Sequence, residues 1–167
     1  PSGYRANTTG DYGTLNAFVL VDSNDQPRFP PRDGTEGTPE SLTANEVRTI
    51  IRNALTIAFR ARAQIRRPLG SHAQVTVSVV DTNGSILGIA RTPDGPVFGT
   101  DVSLQKARTA AFFSNTNTAA DLIRANLGNY WLAAKAVLGP GALSDGTAFA
   151  DRSGGNLSRP FFPDGID

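Results

Sequence analysis

The chain contains no cysteine and no methionine, and its only histidine is His72. Without cysteine the chain has no disulfide, thiolate nucleophile, zinc ribbon, iron–sulfur cluster or covalently attached c-type haem. A single histidine excludes a His-rich metal site within one chain. Its neighbour Ser71 is too close in sequence for the usual Ser–His–Asp arrangement. We therefore expect neither thiol catalysis nor such a triad.

Excess charge and long apolar runs are also missing. The 167 residues carry 16 Lys+Arg against 15 Asp+Glu, a formal net charge of +1. This balance argues against nucleic acid as a partner, because such binding depends on a positive surface. No apolar run approaches the roughly 20 residues of a membrane-spanning helix. The composition is that of an ordinary globular chain with one core.

The N-terminal part is predicted to be an extension, residues 1–41, ahead of the main domain. A β-rich run in residues 13–22 predicts one strand, and the Pro- and Gly-rich residues 23–41 predict a linker. The chain begins at Pro1 instead of methionine, from which we expect a proteolytically processed protein of the periplasm or exterior.

A domain over residues 42–138 is predicted to begin with an amphipathic helix. Thr43-Ala-Asn-Glu46 has the capping-box pattern, apolar residues recur at helical spacing from Val47 to Phe59, and Pro68 and Gly70 end the pattern. Six arginines on the other side and at the C-terminal end form either a solvated face or an anion-docking patch: Arg48, Arg52, Arg60, Arg62, Arg66 and Arg67.

A β-hairpin and further helices are predicted next. Alternating Val75, Val77 and Val79 precede an Asn-Gly pair, for which a type I′ turn is expected. A second helix, starting near Asp101, is apolar on two sides, which favours an oligomer interface. Capping-box-like Thr118-Ala-Ala-Asp121 predicts a third helix that ends at Gly128, residues 129–138 predict a fourth, and residues 139–167 form a Gly/Pro-rich tail or connector.

The order of these segments resembles one protein family. After the capped helix come Val-Thr-Val-Ser-Val-Val-Asp, the Asn-Gly turn and Ile-Leu-Gly-Ile-Ala-Arg. Lys-Ala-Arg-Thr-Ala-Ala then follows Asp101. The combination resembles the GlcG/HbpS-like family, also called haem-degrading or PduO C-terminal-like, well over residues 42–113 and more loosely to 138. The N-terminal extension and residues 148–163 resemble its longer bacterial "haem-binding protein" branch.

The resemblance implies a compact α+β fold: a mainly antiparallel, profilin-like sheet flanked by helices, commonly assembled into oligomers. It also implies non-covalent binding of haem, another tetrapyrrole or iron. His72 is the candidate axial ligand, beside the other potential donors Tyr4, Tyr12, Tyr130, Lys106 and Lys135. The candidate cofactor-binding residues are His72, Arg91, Asp101, Lys106 and Arg108. Arg91 and Arg108 would suit carboxylates, because a guanidinium binds them bidentately.

The sequence departs from the family pattern after Gly139, where the expected late strands are missing. A lone hairpin is only marginally stable. We therefore expect another chain or fragment, or strand exchange in a homo-oligomer, to complete the sheet. Three functions stay open: a haem-binding module, a structural or accessory subunit without cofactor, and an enzyme that degrades haem or processes a cofactor. No general base with a convincing neighbour is evident, so the enzyme ranks last.

Overall fold

The computed structural model describes residues 3–8, 10–61 and 68–146. Arg62, Arg66 and Arg67 of the predicted arginine patch, and residues 148–163 of the family resemblance, lie outside this range. By their contacts the residues form two compact units, Pro1–Gln105 and Lys106–Asp167. The described part contains four α-helices and an open, antiparallel sheet of four strands, so the predicted α+β class is confirmed.

The first unit contains the sheet, whose strand order is β1-β2-β4-β3. Its strands are β1 (Gly3–Ala6), β2 (Phe18–Val21), β3 (Thr76–Val80) and β4 (Ile86–Arg91). The hairpin β3–β4 is confirmed, and Phe18 of β2 pairs with Arg91 of β4. The open edges are β1 and β3.

Residues 1–41 therefore contribute two of the four strands: β2 lies within the strand predicted over residues 13–22, whereas β1 is not predicted from the sequence. Their place in the main sheet was also not predicted, because the pairing of β2 with β4 joins segments that no local pattern connects. Completion of the open edges by another chain stays a prediction, as do the domain boundaries.

Helix α1 (Ala44–Arg60) covers one face of the sheet. It begins with the predicted capping box: the Thr43 hydroxyl accepts from the Glu46 amide, and the Glu46 carboxylate accepts from the Thr43 amide. Val47, Ile51 and Leu55 of α1 are completely buried in the core. The helix ends before Pro68, because Ala61 already has an extended backbone.

Two of the six arginines attach α1 to the N-terminal segment. Arg48 Nε donates to Asp11 Oδ1 at 2.6 Å, and Arg52 donates to the Asp11 carbonyl oxygen at 2.8 Å and to Thr14 Oγ1 at 2.7 Å. These two side chains therefore hold the short 3₁₀ helix Gly10–Tyr12 against α1. This structural role differs from both a solvated face and an anion patch.

The turn between β3 and β4 is not of type I′. The Gly84 amide donates to the Asp81 carbonyl oxygen, and Gly84 has a positive φ of 76°, whereas Asn83 does not share this conformation. The loop is thus a tight turn followed by a left-handed glycine, which fits the register shift at Val79/Val80. The physical reason is Asp81, whose carboxylate accepts the amides of Asn83 and Ser85.

Helix α2 (Gly99–Phe113) crosses the boundary of the two units, and none of its residues is fully buried. The oligomer interface predicted for α2 stays a prediction.

The second unit contains α3 (Thr118–Arg124) and α4 (Gly128–Leu138). The capping box predicted at Thr118 is wrong: Thr118 is inside the helix, and its hydroxyl donates to the carbonyl oxygen of Asn115 at 2.8 Å. Asn126, with a φ of 59°, takes the left-handed position expected of Gly128. The Ala119 amide donates to the Leu143 carbonyl oxygen at 2.9 Å, which fixes the buried Leu143 beside α3.

Candidate functional site

The two faces of the β3–β4 hairpin differ in chemistry. Residues directly opposite each other in an antiparallel pair project from the same face, and successive residues alternate. Val77 opposite Ala90, and Val79 opposite Gly88, face α1. Gly88 permits this packing, since a Cβ there would be 2.8 Å from Ile51 Cδ1.

The opposite face is polar where β3 begins and β4 ends. Thr76 is paired with Arg91, and Ser78 is paired with Ile89. The Ser78 hydroxyl contacts Ser103 Oγ of α2 at 2.6 Å. The first turns of α2 therefore lie beside this polar end of the sheet.

Arg91 is the most unusual side chain of the polar face, because it is charged and only 5% exposed. Nε donates to the Thr92 carbonyl oxygen at 3.2 Å, and Nη2 donates to the carbonyl oxygens of Pro93 (3.2 Å) and Gly95. The guanidinium carbon lies 4.0 Å from the centre of the Tyr4 ring. Within the described residues, Arg91 has no ion pair and its buried Nη1 has no hydrogen-bond partner.

Thr76 and Tyr4 complete the surroundings of Arg91. Thr76 Oγ1 is buried and, like Arg91 Nη1, has no hydrogen-bond partner among the described residues. Tyr4 Oη contacts the Thr100 hydroxyl and the Val97 carbonyl oxygen. The edge strand β1 thereby holds the Tyr4 ring against the buried guanidinium.

His72 lies four residues before Thr76 and is half-buried. Its Nδ1 is 2.9 Å from the Ala73 carbonyl oxygen, and its ring meets the edge of Phe59 at 5.0 Å between centroids. A carbonyl oxygen only accepts, so Nδ1 is the donor and Nε2 of the neutral ring keeps its lone pair. Within the described residues no hydrogen bond reaches Nε2. This arrangement is typical of histidines that bind metals.

The remaining predicted site residues lie on α2, and all three are exposed: Asp101, Lys106 and Arg108. Asp101 is in the first turn. Lys106 follows five positions later, which on a helix of 3.6 residues per turn places it on a different face. His72 and Arg91 belong to the first unit with Asp101, but their contacts are with different neighbours.

Other potential iron donors from the sequence have different surroundings. Tyr12 is 1% exposed in the core, and burial raises the pKa of its hydroxyl, which disfavours the phenolate that iron would require. Tyr130 packs on Phe113, and the exposed Lys135 lies over the Trp131 ring. Tyr4 covers Arg91. His72 is the donor whose geometry best suits a metal.

Thr76 is the residue that the sequence analysis misses at this site. The sequence indicates Thr76 only through the register of the hairpin, because pairing the strands outward from the turn places this threonine opposite Arg91. No group of three or more His, Asp or Glu side chains in the described residues is arranged to hold a metal ion. No helix in that part of the chain is long and apolar enough to cross a membrane.

Comparison with known proteins gives one family and no individual relative. The model of the family described as "Haem degrading protein HbpS-like" matches residues 51–150. No curated protein and no solved structure matches the chain. The family match covers α2, α3, α4, the hairpin and the second half of α1, which is more than half of the 167 residues. The chain therefore belongs to the HbpS-like family of haem-degrading proteins, as its sequence predicts.

Proposed function

We propose that this protein binds haem non-covalently and that His72 Nε2 is an axial ligand of the iron. The observation that carries the proposal is the hydrogen bond from His72 Nδ1 to the Ala73 carbonyl oxygen, 2.9 Å long. It selects the tautomer in which Nε2 is the free electron-pair donor. Membership of a family named for haem supports the choice of cofactor.

The donor set fits haem better than a bare iron ion. A protein site for a free transition-metal ion needs several side-chain ligands, and the described residues hold no cluster of three. Haem supplies four nitrogens of its own and needs one axial side chain. When bound, it would supply the redox and ligand-binding chemistry of its iron. His72 would fix its position and Phe59 would orient the imidazole ring.

Of the predicted cofactor-binding residues in the first unit, this proposal depends only on His72. Asp101, Lys106 and Arg108 stay predictions as cofactor-binding residues. Asp101 is in the first turn of α2, where a carboxylate interacts favourably with the helix dipole.

A haemin titration tests the proposal. Haemin added to the wild-type protein should give a saturable shift of the Soret band. His72→Ala should weaken binding by about tenfold or more and remove the spectrum of an imidazole-ligated iron. Free imidazole added to His72→Ala should restore that spectrum. Lys135→Ala, an exposed donor over Trp131, is the matched control and should bind like the wild type.

Two results would contradict the proposal. One is a wild-type protein that does not shift the Soret band, which would favour a structural or accessory subunit without cofactor. The other is an unchanged spectrum in His72→Ala, which would exclude this axial ligand.

Haem degradation is the second candidate function, favoured by the description of the family. With a reductant and oxygen, an enzyme would bleach the Soret band at many equivalents of haemin per protein. A binding module would retain the band under the same conditions.

A further inference from the structure

Two buried hydrogen-bond donors without acceptors lie at paired positions of the β3–β4 hairpin. Arg91 Nη1 and Thr76 Oγ1 each expose almost no surface, and neither has a partner in the described residues. Thr76 is directly opposite Arg91 in the strand register, so both side chains project from the same face. Buried polar groups are normally satisfied, and each exception calls for an explanation.

The charge of Arg91 is also incompletely balanced. Three carbonyl oxygens and the face of the Tyr4 ring partly compensate it. The ion pairs of the described residues involve other arginines: Arg5, Arg48 and Arg124. A buried cation without a counter-charge destabilises the fold, and an anion would remove that cost.

We propose that Thr76 and Arg91 form a binding site for a single carboxylate group. A carboxylate has one negative charge, which matches the one guanidinium, and two oxygens, which match the two free donors. A phosphate dianion would bring a second charge that the polar face does not balance. The carboxylate belongs to either a small organic acid or the propionate of a tetrapyrrole, and the experiment separates these sources.

The surroundings restrict the site to a small group. Position 95 is tightly packed, because a Cβ there would be 3.1 Å from the Val75 carbonyl oxygen and 3.3 Å from Arg91 Nε. Position 99 is also close, since a Cβ on Gly99 would be 3.4 Å from Thr76 Oγ1. Tyr4, which is only half-buried, covers the guanidinium from the edge strand β1. A carboxylate that reaches the guanidinium would therefore have to displace the Tyr4 ring.

Thr76→Val is the decisive variant, and Ser78→Ala is its matched control. Both remove a hydroxyl from the same strand and face, but Ser78 Oγ already has Ser103 as its partner. Sodium propionate is titrated into each protein, with sodium chloride at equal ionic strength as the blank. ¹H–¹⁵N spectra report the Arg91 Nε–H and the Gly95 amide. We expect saturable shifts in the wild type and Ser78→Ala, and affinity weaker by about tenfold in Thr76→Val.

A second arm identifies the source of the carboxylate. Haemin and its dimethyl ester, which lacks free carboxylates, are titrated into the same three proteins. Tighter binding of haemin than of the ester, with the difference lost in Thr76→Val, assigns the site to a propionate of the tetrapyrrole. Propionate binding without that difference assigns it to a small organic acid. Both results support the proposal.

The proposal fails if propionate shifts no resonance beyond the chloride blank and haemin and its ester bind equally. It also fails if Thr76→Val unfolds at lower denaturant concentration than the wild type without ligand, because the hydroxyl would then have a structural partner. The outcome is independent of His72: His72→Ala should lose imidazole ligation and still bind propionate. The two proposals can therefore fail separately.

Discussion

Replacing Asp81 by asparagine tests the structural account of the hairpin turn. The Asp81 carboxylate is 4% exposed and accepts four hydrogen bonds. Oδ1 accepts from the amides of Asn83 (3.0 Å) and Ser85 (2.8 Å). Oδ2 accepts from the Thr35 amide (2.9 Å) and hydroxyl (2.6 Å). Asparagine keeps the shape but has one acceptor oxygen, so two of these bonds are lost and an NH₂ group faces two donors.

The expected cost follows from these bonds. A hydrogen bond to a charged group contributes about 1.5–3 kcal/mol, so we expect Asp81→Asn to lower the free energy of unfolding by about 3 kcal/mol or more. Urea denaturation followed by circular dichroism at about pH 7 measures this loss. Asp94→Asn, at an exposed aspartate of the loop after β4, is the control and should change stability by less than about 0.5 kcal/mol.

The pH dependence of this stability loss tests whether the Asp81 carboxylate acts as a charged acceptor. Burial alone raises the pKa of Asp81, but the hydrogen bonds from Thr35, Ser85 and Asn83 outweigh it, and the net pKa is lowered. The stabilisation is therefore complete above the unfolded pKa of about 3.9 and lost as the pH falls through the lower folded pKa. The difference between wild type and Asp81→Asn should shrink below about pH 4. A loss of unfolding free energy under about 1 kcal/mol at neutral pH would refute this account of the turn. So would a loss that is as large at about pH 3 as at neutral pH.

Two further predictions concern the core and the assembly. Tyr12→Phe should leave the free energy of unfolding unchanged or raise it by up to about 1 kcal/mol, because the buried Tyr12 hydroxyl has no partner in the described residues; a clear loss in urea denaturation would contradict this. Native mass spectrometry should show several copies or a second polypeptide, as the open edges β1 and β3 invite pairing; a lone 17.6 kDa species would contradict it.

Local signals in the sequence predict the elements that local forces stabilise. The capping box at Thr43 and Glu46 predicts the start of α1, because both hydrogen bonds join residues three apart. The hairpin is predicted for the same reason, since β3 and β4 are neighbours along the chain. The turn type is not predicted, because Asp81 captures the amide of Asn83 and overrides the preference of the Asn-Gly pair.

The sheet as a whole depends on interactions that no window of sequence contains. Val19 and Val21 of β2 are buried in the same core as Ile51 of α1, although the Pro- and Gly-rich segment between them resembles a linker. The residues of the candidate site also divide into those that the local sequence identifies and those that only the folded structure identifies. His72 and Arg91 stand out by residue type, whereas Thr76 gains its role only from the register with Arg91.

The placement of β1 and β2 in the sheet also limits when this protein can fold. Tyr4 meets Val97, which is 93 positions later in the chain, and Phe18 pairs with Arg91. During synthesis on a ribosome, β1 and β2 emerge long before β4. Their apolar side chains therefore stay unpacked until the rest of the sheet has been synthesised. A fragment cut at the start of the family match, residue 51, would lack both strands and the first half of α1, and with them the core residues Val19, Val21 and Val47. We therefore expect a fragment that spans β1 to β4 to be more stable than one that begins at residue 51.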